Sequence, residues 1–344
     1  MQLRNALGWS PPSDWDRITV IDSHTGGEPF RVVVGGLPEL PGRTVLERRR
    51  FAEDNLDHLR RLLVWEPRGH ADMYGAFLGS SVEPDSDLSV LFIHNEGFST
   101  MCGHGIIALT KVVLETGILP SSEPETTLKI DTPAGQVTAT ADVSGGSVGS
   151  IRFSNVPSFV VELDAEVELP DTGPIRYDLA FGGAFYAYVS AEAAGVDLSN
   201  ASDLVAKGRT IKSAVANARE VTHPFEPDLG FLYGVVFIGP PVDPRNHSRN
   251  VCVFADGEID RSPTGTGLSG RLAIHHARGE LDRGESITIE SIVGSTFTGR
   301  ILTEIDHGPF SAVVPEVSGT AHITGKSEFW VDPTDALGQG FFLR

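Results

Sequence analysis

The stretch Met101-Cys102-Gly103-His104-Gly105-Ile106-Ile107-Ala108-Leu109-Thr110-Lys111-Val112-Val113-Leu114-Glu115-Thr116-Gly117 organises the chain. Apolar residues at 106, 109, 113 and 114 recur at helical spacing and Gly117 is a stop signal, so a helix is predicted to begin at Cys102. That placement has chemical consequences. Unpaired N–H groups at a helix start favour the thiolate of a cysteine, whose reference pKa is roughly 8.5, and they can also hold a carboxylate or phosphate. A basic sulfur and an anion socket are therefore expected at one spot.

The stretch has a second copy. Moving 162 residues along the chain, Cys102-Gly103-His104-Gly105 falls on Thr264-Gly265-Thr266-Gly267, Phe92 on Phe254, Glu96 on Glu258, Gly117 on Gly279 and Leu119 on Leu281. A shift of 159 then aligns Leu128, Ile130, Asp131 and Gly135 with Ile287, Ile289, Glu290 and Gly294. The match runs through strand, loop, helix, turn and strand in order, the mark of a two-fold repeat of half-chains. Pseudo-symmetric packing of the halves would bring the two helix starts face to face across a cleft.

A chain of 344 residues, 40% hydrophobic and 21% charged, reads as a soluble globular protein long enough for two domains. Its net charge of −19 argues against nucleic acid or anionic membrane as a partner and leaves a small acid in a local pocket. The two cysteines, Cys102 and Cys252, lack the spacing of a metal knuckle or redox pair and suit a reducing cytoplasm. Residues 1–17 lack the basic-then-apolar order of a signal peptide, and no run approaches the roughly 20 apolar residues of a membrane span.

Strands are predicted at 18–21 and 30–34, joined by Asp22-Ser23-His24-Thr25-Gly26-Gly27-Glu28-Pro29 as a turn-rich loop with Gly26-Gly27 at positive φ. Residues 45–64 carry a helical pattern, and 67–75 form a polar loop in which His70 and Asp72 either orient each other or a ligand, or are surface hydrogen-bonders. A strand at 88–94 leads into the Cys102 helix, and a hairpin follows around Leu128, Ile130 and Val137. The boundary is expected near residues 155–158, giving halves 1–156 and 157–324, with the tail 325–344 packing back on the first. The second half repeats the plan: strands at 176–190 about the turn Phe181-Gly182-Gly183-Ala184, a helix at 202–218, strands at 230–238 and 249–255, then the Thr264 helix.

None of the eleven histidines makes a helical pair with metal spacing, so no metal site is expected. Gly265-Thr266-Gly267-Leu268-Ser269-Gly270 formally matches a dinucleotide fingerprint, with Glu290 as ribose ligand. Its context is wrong, because residues 256–263 separate strand from helix and the repeat already accounts for the glycines. Cys252, between Val251 and Val253 in a strand, reads as inert. Cys102 reads either as a buried structural thiol or as a reactive base, and its flanking Gly103 and Gly105 favour the base by admitting a ligand close to the backbone. Thr264 reads as a helix cap or as a site residue.

Met101-Cys102-Gly103-His104, together with Asp260-Arg261-Ser262-Pro263-Thr264-Gly265-Thr266-Gly267, resembles the paired active-site signature of the proline racemase family. That family includes hydroxyproline epimerases and trans-3-hydroxy-L-proline dehydratases. Similarity extends through residues 22–29, Pro67-Arg68-Gly69-His70 and residues 290–299. The resemblance implies an α/β fold of two pseudo-symmetric domains like those of diaminopimelate epimerase, each a mostly antiparallel sheet wrapped around a central helix, with the site in the interdomain cleft. It also implies chemistry without metal, nucleotide or pyridoxal phosphate, and a homodimer.

In the racemases and epimerases two cysteines flank the substrate α-carbon, whereas this sequence has Thr264 at the second place, similar to the dehydratase branch. Carried over by position, Cys102 and Thr264 are the catalytic pair. Gly103, His104, Gly265 and Thr266 receive the substrate carboxylate, and Asp260 lies near the ring nitrogen. A threonine hydroxyl is not easily ionised, so two-base inversion is expected to fail while proton abstraction by Cys102 can still expel a 3-hydroxyl as water. The implied activity is cofactor-independent dehydration of trans-3-hydroxy-L-proline to pyrroline-2-carboxylate. Its rivals are an epimerase that uses threonine as a relay, a non-catalytic imino-acid binding protein and a dinucleotide-dependent reductase. The acid for the leaving hydroxyl stays open among Cys102, Thr264, His104 and water.

Overall fold

The computed structural model describes residues 6, 8–170 and 172–343. The signal-peptide reading of 1–17 therefore falls partly on residues 1–5 and 7, outside the described residues. Each half is built around a helix buried nearly all round. Gly103–Glu115 is buried throughout except at Lys111 and Glu115, and Gly265–Ala277 is buried from Gly265 to Ile274. A helix buried on every side has to be wrapped rather than laid on a surface, and the strands do the wrapping.

In the first half the paired order is Ala321–Val331, Asp16–Thr25, Glu28–Gly35, Tyr74–Gly79, Leu88–His94, Glu125–Thr132, Gly135–Ser144 and Ser147–Ser154. The second half runs Ser158–Leu169, Gly173–Phe181, Phe185–Ser190, Leu232–Gly239, Ser248–Phe254, Ser286–Glu290, Thr296–His307 and Phe310–Gly319. Both orders are antiparallel except at the third and fifth joins, which are parallel in each half. Phe310–Gly319 also pairs with Ser147–Ser154 and Ser158–Leu169, joining the halves into one continuous sheet. The first half takes its outermost strand, Ala321–Val331, from the far end of the chain. Beyond it, Phe341 bridges to Glu66 and Phe342 stacks on Trp65.

Three local expectations change. The polar run at 22–29 is mostly strand: pairing continues to Thr25 and resumes at Glu28, and only Gly26 (φ +59°) and Gly27 (φ +92°) turn. Two inward-facing hydroxyls find partners there, Ser23 donating to the Phe30 carbonyl at 3.0 Å and Thr25 to that of His104 at 3.0 Å. The helix at 45–64 is two, Val45–Asn55 and Asp57–Val64, parted where Leu56 leaves helical geometry at φ −120°.

The repeat also slips in its strands. Leu88 lies against Ile130 as Ser248 lies against Ile289, and Phe92 faces Ser99 as Cys252 faces Asp260. Phe92 therefore corresponds to Cys252, not Phe254. The long strands are displaced by 160 residues, the short ones after them by 161 and the helix starts by 162, so the second half carries one extra residue in each of two turns. Among the described residues, no helix is long and apolar enough to cross a membrane.

Candidate active site

The two helix starts touch. A Cβ on Gly103 would lie 2.7 Å from Gly265 Cα, and one on Gly265 would lie 2.9 Å from Gly103 Cα, so only glycine permits the contact. Around it closes a small cleft. All seven residues singled out in the sequence line this cleft: Cys102, Gly103, His104, Asp260, Thr264, Gly265 and Thr266. Tyr74, Tyr186, Tyr233 and Phe254 supply aromatic walls, and Cys252, read as inert, also reaches the cavity.

Cys102 is the residue before the first helical turn, at an ordinary extended φ of −145°, and its Sγ accepts the Gly105 N–H at 3.2 Å. The helix start is where the sequence put it, but the ionisation is not. Burial pushes the thiol well up, the Gly105 N–H opposes this, and the Asp260 and Glu28 carboxylates add to the rise. With Cys102 only 4% exposed, desolvation outweighs the local N–H groups. Beside it, 3.3 Å from Sγ, stands His104 Nδ1. Burial pulls that imidazole down to about 3, so it is neutral.

Thr264 occupies the same place on the other helix with a different geometry. Its φ is +64°, an outlier for a β-branched residue. Its methyl, Cγ2, sits over Gly267 where the Cys102 sulfur sits over Gly105. The hydroxyl is consequently turned off the helix and makes no capping bond, which corrects the reading of Thr264 as a cap. Oγ1 is buried without a hydrogen bond of regular geometry. It lies beside the Cys252 thiol and the Asp260 carboxyl, whose ionised forms it favours.

Asp260 is held by the Ser262 N–H at 2.7 Å, yet burial pushes its carboxyl up to about 6. Its neighbour Arg261 ties the halves together. The Arg261 N–H donates to Glu28 at 2.7 Å, and the guanidinium reaches the Asp72 carbonyl at 3.2 Å and its carboxylate at 3.3 Å. Asp72 thus serves the interdomain contact, while the exposed His70 sits against the neighbouring Ala71 carbonyl at 2.8 Å. Glu28, read as part of a turn, is fully buried.

Glu290 is no ribose ligand: its carboxylate accepts the N–H groups of Val242 and Asp243 at 2.6 and 2.7 Å and the Asn246 amide at 2.9 Å. Its counterpart Asp131 does the same for Val82 and Glu83 at 2.7 and 3.0 Å. Both acids anchor a loop. The tyrosines are tied to one another and to the helix start, Tyr186 OH to Thr266 Oγ1 at 2.8 Å and Tyr74 OH to Tyr233 OH at 2.7 Å. Each comes from a different strand, and no local signal announces it.

Two pseudo-symmetric halves, each wrapping a sheet around a buried helix and meeting at the helix starts over a small cleft, define the diaminopimelate-epimerase type of α/β fold. The family described as proline racemase matches residues 20–342, and the chain belongs to it. It is 46% identical to a trans-3-hydroxy-L-proline dehydratase of Colwellia psychrerythraea, over 98% of this chain and 96% of that protein. It is 45% identical to a 3-hydroxyproline 2-epimerase of Burkholderia multivorans, over 95% of this chain and 98% of that protein. A hydroxyproline epimerase of Agrobacterium vitis, solved with bound trans-4-hydroxy-L-proline, superposes with a TM-score of 0.90 at 34% identity, covering 95% of this chain and 96% of that one.

Proposed function

We propose that this protein dehydrates trans-3-hydroxy-L-proline to pyrroline-2-carboxylate. The observation that carries the reading is the unlike pair at the helix starts, a thiol at Cys102 and a hydroxyl at Thr264 lining one cleft. The Colwellia relative's name supports it. In this reading the substrate carboxylate is received by the N–H groups of Gly103 and Gly265 with His104 and Thr266, donors that also stabilise charge spread onto it in the transition state. Asp260 holds the ring ammonium. The protein presents carboxylates to the Cys102 sulfur, and the substrate ammonium is the cation that offsets them.

The Cys102 thiolate takes the α-proton, the electron pair left on Cα forms the C2–C3 double bond, and the C3–O bond breaks. The α-hydrogen and 3-hydroxyl share a ring face, so the new thiol can return its proton to the departing oxygen as water. The enamine then tautomerises to the imine.

A second reading, 2-epimerisation, draws on the Burkholderia relative. Incubation with trans-3-hydroxy-L-proline separates the two: dehydration yields an imine that condenses with an aldehyde reagent, and no imine forms from the 4-hydroxy isomer. Recovery of the C2-inverted substrate without imine would overturn the dehydratase reading. The same reading carries three lesser proposals. They are a division of the chain at 156/157, a homodimer, and a cytoplasmic location, the last supported by two unpaired cysteines.

A further inference from the structure

Arg271, two turns into the Thr264 helix, is 3% exposed, and its guanidinium meets no carboxylate among the described residues. It donates instead to Ser248 Oγ at 2.6 Å, Asn250 Oδ1 at 3.0 Å and His275 Nε2 at 3.0 Å. His275 is then the neutral tautomer, its Nδ1–H facing Glu280 at 2.7 Å. At the other end Asn250 Nδ2 donates to the Pro263 carbonyl at 3.3 Å. A chain of hydrogen bonds therefore runs from the surface, through the interior of the second half, to the peptide that precedes Thr264.

The first half shows what the fold requires at these positions. The counterparts of Ser248, Asn250, Arg271 and His275 are Leu88, Val90, Leu109 and Val113, all buried. The same space is filled by hydrocarbon there, without the cost of desolvating an arginine. Stability of the fold does not explain the polar set. What differs at its end is the backbone: Cys102 has φ −145° and Thr264 has φ +64°.

We propose that Ser248, Asn250, Arg271 and His275 form a positioning network that holds Thr264 in its left-handed conformation and so keeps its hydroxyl directed toward Asp260 and Cys252 at the wall of the cleft. The Pro263–Thr264 peptide is gripped at both poles, its carbonyl by Asn250 and its N–H by Ser262 Oγ at 3.1 Å. On the far side of the residue, the Thr264 carbonyl is fixed by the Leu268 N–H at 2.7 Å. With the plane before Thr264 and the helix after it both fixed, φ has nowhere to relax. A strained backbone of this kind persists only where its surroundings over-determine it. The consequence reaches the chemistry, because an extended φ such as that of Cys102 would let Oγ1 swing over Gly267 as a helix cap.

The inference rests on the reading of Thr264 as a site residue, and a double-mutant cycle tests it. Asn250→Val with Arg271→Leu installs the first-half residues, and the pair is made in the wild type and in Thr264→Ala. In the wild type kcat for imine formation falls about tenfold or more with KM changed less than about threefold, and the melting temperature is equal or higher. In Thr264→Ala the same pair changes kcat less than about twofold. A crystal structure of the paired variant shows Thr264 at negative φ. An unchanged kcat with φ still positive, or an equal loss in both backgrounds, overturns the proposal. If the wild type makes no imine, the dehydratase reading falls, and the Thr264 φ in the paired variant still decides the network. Should that variant fail to fold, Asn250→Val alone releases the Pro263 carbonyl and gives the same readings, while Arg271→Lys restores at least about half of kcat.

Discussion

At the first helix start the side chain closes onto its own helix; at the second it turns away. Cys102 takes the Gly105 N–H on its sulfur, whereas Thr264 lays a methyl over the equivalent Gly267 and directs its oxygen toward Asp260 and Cys252. The two positions share a fold, a flanking glycine pattern and a cleft. They differ in backbone sign, in the polarity of what lies behind them and in whether the side chain can carry a removable charge. A two-fold repeat thus supplies an internal comparison: each half shows what the fold accepts at the matching position of the other.

The sharpest way to break the comparison is to delete the sulfur. Cys102→Ala is expected to lower kcat about 10²–10⁴-fold, the worth of a positioned proton-transfer group, with the melting temperature close to wild type. Near wild-type imine formation by the purified variant would remove Cys102 from the mechanism.

Asp260→Asn probes the second half's acidic side. The folded carboxyl is pushed up to about 6 by burial, against about 3.9 in the unfolded chain. Well below pH 4 both states hold the proton and the group contributes nothing. As pH rises through this interval the unfolded state loses its proton first, so the wild type loses up to about 3 kcal/mol that the asparagine variant keeps. Denaturant titrations at pH 4 and pH 7 check this: the variant gains clearly more at pH 7 than at pH 4, and loses activity at both. Equal gains at the two pH values would mean that the aspartate is not a raised, buried acid.

Gly265→Ala tests the contact between the helix starts. Its new methyl meets Gly103 Cα at 2.9 Å, and backbone cannot yield as a flexible side chain does. A loss of about 1–3 kcal/mol is expected in thermal or denaturant unfolding. A fall in kcat/KM should accompany it as the halves are wedged apart. Wild-type stability together with wild-type activity would show that the halves do not meet there.

Much of this was legible in the sequence because periodicity and glycine stops are local signals. The Cys102 helix stands where its apolar spacing predicts, its double at Thr264 stands where the repeat puts it, and the strand leading into the first helix spans 88–94 as read. The polar run at 22–29 misled because Ser23 and Thr25 point inward to backbone carbonyls, which polarity alone does not reveal. The repeat slipped in its strands because Phe92 matches Phe254 by residue type while the ladder pairs by register. The ionisation of Cys102 was missed because a helix start can be read from neighbours in sequence, but desolvation depends on walls such as Tyr74 and Tyr233 that arrive from elsewhere. That Cys252 reaches the cleft, and that Arg271 gathers a polar set, could not be read for the same reason. Their partners are distant in sequence, and only the comparison of two folded halves marks them as unusual.

In the proposed mechanism the central contrast is one ionisable base, Cys102, sharing a cleft with a hydroxyl, Thr264, that cannot serve as the second. Turnover of trans-3-hydroxy-L-proline in deuterated water, followed by mass spectrometry and chiral separation, addresses it directly. One-base chemistry predicts that the wild type releases pyrroline-2-carboxylate and that remaining substrate keeps its configuration at C2, with no α-deuterated C2 epimer. Accumulation of that epimer at a rate matching imine release would show that Thr264 completes a second proton-transfer face and would contradict the assignment.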